Sequence, residues 1–262
     1  MTGHAVAVPS GALQLPVAEQ SLEVSLTDLA RACRILEMEG HGDMTLGHLS
    51  LRDPLGRGFW LKRNRIGLGE VLGPADFVLI DQEGQQLAGA GGRHSEWPIH
   101  SEILRLRPDV QVVAHTHPFH ACVFSASREP LQPFTLDADY FVEVPRDESD
   151  VALITTKDEA IALATALGPH FAVLMGNHGV TFCGTTIPHA TCVGIFLEKA
   201  CKAQLAGTGA DFKASMPAPQ VRRKRHAQIM TPMHWEHSWN YFCRKLQALG
   251  ETSEGVPRPL YF

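Results

Sequence analysis

The sequence predicts an α/β fold, a central sheet covered by helices. Short apolar runs alternate with longer stretches that carry apolar residues at helical spacing. Turn signals such as Asp81-Gln82-Glu83-Gly84 separate the short runs. The composition is 44% hydrophobic and 19% charged over 262 residues, ordinary for a globular chain and enough for one large core or two small domains.

Taken in order, residues 1–20 lack a basic start followed by a dense apolar stretch, and read as a flexible N-terminal arm. Ser25-Leu26-Thr27-Asp28 looks like a helix start; Leu26, Leu29, Ala30, Cys33 and Leu36 follow at helical spacing until Gly40 stops the run. Strands are expected over residues 49–52, 58–61, 77–80, 110–114, 151–155, 172–175 and 180–183. Helices are expected over 98–107, where Pro98 suits a first turn, and over 157–167 and 188–205. The main domain is placed at 21–207. Residues 208–262 form a linker and a C-terminal helical extension: a Gly-, Ala- and Pro-rich stretch over 207–219, then a helix over 235–249 with Trp235, Trp239 and Phe242 on one side. Between them, Arg222-Arg223-Lys224-Arg225 reads as a solvated helix face.

Bulk properties exclude several classes. A net charge of −5 and a pI near 6.3 give no general pull toward nucleic acid or anionic membrane. No apolar run approaches the ~20 residues that span a bilayer. The six cysteines are scattered without a C-x-x-C pair, so reduced thiols and a cytoplasmic location are expected.

The strongest chemical signal is Ala114-His115-Thr116-His117-Pro118. Histidines at i and i+2 share one face of an extended strand, so both imidazoles can reach one metal ion. His178, in the turn between the last two strands, is the best third ligand, and three imidazoles leave a coordination position open for substrate. Ordinary core or surface histidines would account equally well for one such pair in a chain with 14 histidines. A second signal is Glu96, just before a helix: a general acid or base, or a helix-start charge favoured by the dipole. A third is the turn at Gly47-His48, a weak anion-binding signal.

In this order the motifs resemble those of the class II aldolase/adducin family. They stand as Gly47-His48-Leu49-Ser50-Leu51-Arg52, then Ser95-Glu96-Trp97 with His100, then Arg107-Pro108-Asp109 through His117, then Asn177-His178-Gly179. The resemblance runs from about Leu29 to about Leu205. It implies a three-layer α/β/α sandwich on a mixed, largely antiparallel sheet, in a homotetramer with active sites between subunits. It implies His115, His117 and His178 as ligands of a divalent metal (Zn, Mn, Fe or Co), and Glu96 as catalytic acid/base.

The sugar-phosphate aldolases of that family seat phosphate on three small-residue loops, and this sequence departs from all three. Gly47-His48 replaces Gly-Asn, residues 61–65 replace Thr-Pro-Thr-Gly, and His94-Ser95 replaces Ser-Ser. His48 would crowd a phosphate, whereas Lys62, Arg63 and Arg65 could bind a carboxylate, or could simply form a solvated basic loop. Tyr140, Trp235 and Trp239 could stack on an aromatic ring, and Tyr140 and His94 are the alternative proton carriers. The variant over 47–54 resembles the branch containing decarboxylases of hydroxylated aromatic carboxylates. The expected function is therefore a metal-dependent lyase decarboxylating a small hydroxylated, aromatic carboxylate through a metal-stabilised enolate. The alternatives are an aldolase on a hydroxy-carbonyl compound or sugar phosphate, an iron-dependent oxygenase on an aromatic metabolite, and, more distantly, a non-catalytic adducin-like scaffold. A small molecule is the expected partner, with no nucleic acid and no membrane.

Overall fold

A computed structural model describes residues 17–149, 152–208 and 213–250. One eight-stranded sheet runs in the order β4-β3-β2-β1-β5-β8-β7-β6. Its strands are β1 (His48–Arg52), β2 (Phe59–Lys62), β3 (Phe77–Ile80), β4 (Gln86–Ala88), β5 (Val112–Thr116), β6 (Arg146–Asp147), β7 (Ala172–Met175) and β8 (Gly179–Gly184). Only β6 and β7 pair in parallel; the other neighbours are antiparallel. The α-helices among the described residues are α1 (Val17–Leu36), α2 (Trp97–Leu106), α3 (Phe119–Ser125), α4 (Lys157–Leu167), α5 (Ile187–Thr208), α6 (Pro219–Ile229) and α7 (Pro232–Ala248).

Strand alternation produces the layers. Leu49, Leu51, Val112, Ala114, Leu174, Val180 and Phe182 face a core shared with α1, α3, α5 and α7. Phe59, Leu61, Val113, Val173, Met175 and Cys183 face the opposite core, filled by α2 and α4. The result is the three-layer sandwich with a mixed, largely antiparallel sheet. Two motif arginines belong to this scaffold. Arg52 donates to the carbonyls of Leu104, Arg107 and Val110, tying the end of α2 to β5. Arg107 grips Asp109 through two nitrogens and also donates to the carbonyls of Gly168 and His170.

Several expected elements change. The first helix begins by Val17 rather than at Ser25. The hydroxyls of Ser25 and Thr27 donate back to the carbonyls of Ser21 and Glu23, 2.9 and 2.8 Å away, so they lie inside a helix instead of capping one. Residues 17–20, assigned to the arm, are helical; 1–16 lie outside the described residues. Of the expected strand 151–155, Val151 lies outside the described residues and 152–155 is not a strand. The Ile154 N–H there donates to a side chain, Glu96, rather than to a sheet neighbour. The basic run sits on α6. Arg223 and Lys224 are exposed, but Arg222 donates to the carbonyl of Phe141 at 2.9 Å and Arg225 reaches the buried Asp139 at 3.5 Å. The face is thus partly a docking surface. Part of the expected linker, 209–212, lies outside the described residues, as does the tail 251–262. Trp235, Trp239, Phe242 and Leu246 of α7 are buried in the same core as α1 and α5.

Candidate metal and acid–base site

The site lies where β1 and β5 run side by side, with α2 beneath. His48 pairs with His115 in the β1–β5 register, so the two imidazoles project from one face of the sheet. His178 enters from the turn between β7 and β8, where Asn177 takes a left-handed φ of 56°. Gly179 follows; a Cβ there would lie 2.6 Å from His117 Cδ2 and 2.8 Å from the Thr116 carbonyl oxygen, so only glycine lets the turn pass this close to the histidine strand.

The ligating atoms of His115, His117 and His178 all lie within 4.8 Å of one another. Their hydrogen bonds fix where the protons are. His115 Nδ1 lies 3.1 Å from the Val180 carbonyl oxygen, which can only accept. His117 Nδ1 lies 3.0 Å from Oδ2 of Asp43. Both δ nitrogens therefore carry a hydrogen, and the two Nε2 atoms, 3.0 Å apart, are the atoms left to face a metal. Two nitrogens sharing a tetrahedral zinc at its usual bond length stand about 3.3 Å apart. Nδ1 of His178 is buried without a partner. Burial and the neighbouring His117 push the His178 pKa down, and burial holds His115 well below the usual histidine range. Imidazoles whose ring nitrogens converge in this way are a donor set that fits a divalent metal.

Glu96 stands at the start of α2, 5% exposed. Its Oε1 accepts the Ile154 N–H at 3.1 Å, and its Oε2 lies 3.5 Å from His48 Nε2. Burial raises its pKa against the lowering effects of that N–H and of His117. Glu96, His48 and His115 form a second cluster able to hold a metal ion.

Of the other sequence candidates, Gly47 has a φ of +75°, which places His48 at the start of β1. His94 stacks obliquely on His48, ring centroids 4.3 Å apart, and its Nε2 is buried without a hydrogen-bond partner. Burial, helped by the Lys62 charge, pushes its pKa down to about 4. Ser95 is exposed beside it. The loops carrying Arg63, Arg65, His94 and Ser95 are tied together, Asn64 N–H donating to the Gly92 carbonyl at 2.9 Å. The expected basic loop is less free than its composition implies. Lys62 is fully buried, and its ammonium donates to the carbonyls of Ile66 and Arg63. Burial takes its pKa down to about 8. Arg63 pairs with Asp76 at 3.1 Å, whereas Arg65 is exposed. Tyr140 does not join the histidines within this chain: its ring stacks on Phe196 at 4.1 Å and its hydroxyl bonds His234. Trp235 stacks on His189 at 4.5 Å as a packing residue.

Sequence reasoning missed Asp43, Ile154 and the role of Ser50 and His100. Asp43 opens a turn and looks like any loop acid. Ile154 acts through its backbone, which no residue pattern reports. The signal for the others was the Ser50 and His100 of the motifs, whose meaning appears only when α2 lies under β1.

Three imidazoles converge beside a buried carboxyl at one end of a sheet in an α/β/α sandwich, a donor set that could hold a metal ion. The chain belongs to the class II aldolase and adducin N-terminal domain family, whose model matches residues 27–205. It is 34% identical over 152 residues to the decarboxylase NovR of Streptomyces niveus, covering 57% of this chain and 56% of that protein, so the match spans little more than half of the relative. It is 28% identical over 187 residues to a 3,4-dihydroxyphthalate decarboxylase of Arthrobacter keyseri, covering 65% of this chain and 73% of that one. Among solved structures, the L-fuculose 1-phosphate aldolase from Glaciozyma antarctica PI12 superposes with a TM-score of 0.76 at 27% identity, covering 91% of this chain and 94% of that chain. Among the described residues no helix is long and apolar enough to cross a membrane.

Proposed function

We propose that this protein is a metal-dependent decarboxylase of a small hydroxylated aromatic carboxylate. The observation that carries the reading is the pair of converging nitrogens, His115 Nε2 and His117 Nε2, 3.0 Å apart beside the buried carboxyl of Glu96. His115, His117 and His178 would hold the metal. When bound, it would polarise paired substrate oxygens and draw electron density from the breaking C–C bond. His115 and His117 are oriented for this by Val180 and Asp43. Glu96, its pKa raised by burial, would hand its proton to the ring carbon that loses carbon dioxide. The bond to the carboxylate breaks, its electron pair stays on the ring carbon, and solvent reprotonates Glu96.

Two features favour a non-phosphorylated aromatic acid over a sugar phosphate. His48 and His94 stand at two of the motif positions that are smaller residues in the sugar-phosphate aldolases this sequence resembles. The decarboxylase relatives also share up to about a third of their residues with this chain over the matched region. Aldol cleavage is the second reading, favoured by the superposition on L-fuculose 1-phosphate aldolase. We also propose a homo-oligomer, with residues from a neighbouring subunit completing a site that Tyr140 does not reach within one chain.

Metal analysis of purified protein, followed by assay of carbon dioxide release from dihydroxy-aromatic carboxylates, tests the reading. Stoichiometric metal, release of carbon dioxide, and a loss of about 100-fold or more in Glu96→Gln are expected. Tight binding of an enediolate phosphate with no response to any aromatic acid would return the chain to the sugar-phosphate aldolases.

A further inference from the structure

Beneath the metal-facing histidines runs a second line of polar groups that metal binding does not use. His48 Nδ1 lies 2.6 Å from His100 Nε2, and His100 Nδ1 lies 2.7 Å from Ser50 Oγ. All three residues are fully buried between β1 and α2. The line ends at His48 Nε2, buried and without a hydrogen-bond partner, 3.5 Å from Glu96 Oε2. That separation exceeds a good hydrogen bond. The end of the line is therefore unsatisfied within the chain, at the side of the candidate acid.

The line admits two directions of hydrogens, because the Ser50 hydroxyl can accept from His100 Nδ1 or donate to it. With the hydrogen on His100 Nδ1, its Nε2 offers a lone pair, His48 donates to it from Nδ1, and His48 Nε2 is left a bare acceptor. The opposite direction puts a hydrogen on His48 Nε2, where Glu96 Oε2 at 3.5 Å lies beyond a good hydrogen bond.

We propose that His48 Nε2 is a substrate subsite that accepts the proton of a hydroxyl group, and that His100 is a positioning residue which fixes the tautomer. This deepens, and rests on, the decarboxylase reading above. A bare lone pair repels a phosphate or carboxylate oxygen and attracts a phenolic O–H. The step from the family's small Gly-Asn loop to His48 thus changes the site from one that receives an anion to one that receives a hydroxyl. The unpartnered His94 Nε2 beside it widens the same polar edge. No bond is made or broken here; the subsite orients the hydroxylated edge of the ring.

The experiment is long-range proton–nitrogen NMR of the nitrogen-15-labelled full chain, with and without added zinc, the His48 signals being assigned by their loss in His48→Asn. The expected result is hydrogen on His48 Nδ1 and none on Nε2. Hydrogen on Nε2 overturns the proposal. In a second arm, the zinc-loaded protein is titrated with catechol and with its monomethyl ether, which lacks one donor. Wild type should prefer catechol about 10-fold, the worth of one hydrogen bond. His100→Phe, which can no longer accept from His48 Nδ1, should lose that preference while keeping its zinc. Equal binding of both probes by wild type counts against the subsite. Should His100→Phe not fold, the tautomer measured in wild type decides. A protein that takes up no zinc counts against the lyase reading and leaves the tautomer measurement standing.

Discussion

Asp43→Ala removes a carboxylate that orients a candidate ligand without being a ligand itself. Its Oδ2 accepts from His117 Nδ1 at 3.0 Å. A hydrogen bond to a charged acceptor is worth about 1.5–3 kcal/mol when shielded. The Asp43 side chain is 35% exposed, so solvent screening argues for the lower end, about 1.4 kcal/mol. That corresponds to a roughly 10-fold weaker zinc affinity, the low end of what losing such an outer partner costs. Asp43→Asn, which keeps a carbonyl acceptor but no charge, should fall between wild type and the alanine variant. Competition against a chelator of known affinity measures the change, and circular dichroism checks that the fold is kept. An unchanged zinc affinity in Asp43→Ala would show that His117 needs no such orientation, or that it does not hold the metal.

The single variants His115→Ala, His117→Ala and His178→Ala should each lose metal while retaining the fold, since an open catalytic site is not a structural staple; elemental analysis beside circular dichroism tells the two apart. Gly179→Ala would drive a methyl group to within 2.6 Å of the His117 ring and should lower metal content as strongly as losing a ligand; full occupancy would refute the tight approach of that turn. Trp235→Ala should cost about 3–5 kcal/mol in urea unfolding, because the buried ring packs on His189 and Tyr140, yet leave metal stoichiometry alone. Acid should destabilise the metal-free protein. His189 and His94 titrate near 4 when folded against 6.5 when unfolded, so between these values the unfolded chain binds protons that the folded chain refuses. Stability is then fully present above about pH 6.5 and is lost as pH falls toward 4, by about 1.4 kcal/mol per pH unit for each group at most. His189→Phe should flatten that slope, and an unchanged slope would argue against the buried neutral imidazole.

Much of this arrangement was legible in the residues. The strand entering His115-Thr116-His117 forces both histidines to one end of the sheet, and the short turn at Asn177-His178 can only stand beside it once β5 and β8 pair. What could not be read depends on backbone atoms and on neighbours distant in the chain. Ser25 and Thr27 have the composition of a helix start, but their hydroxyls were free to bond back along a longer helix. Residues 151–155 have strand composition, yet the N–H of Ile154 is captured by Glu96, 58 positions away. Lys62 looks like a solvated cation beside Arg63 and Arg65; as the last residue of β2 it turns inward, where carbonyls of its own loop hold the ammonium.

The same burial acts in opposite senses on the two kinds of group that meet here. Withdrawal from water disfavours whichever form is charged. For His48, His100 and His115 this means loss of the proton, so every imidazole in the line can present a lone pair at neutral pH. For Glu96 it pushes the pKa up, toward the protonated form, even though the N-terminus of α2, the Ile154 N–H and the nearby His117 all favour the carboxylate. A solvated helix-start glutamate would give up its proton well below neutrality and have none to deliver. Burial moves the pKa of this one upward, although its Oε1 accepts the Ile154 N–H. One low-dielectric pocket thereby lowers the pKa of the buried imidazoles and raises that of the carboxyl beside them.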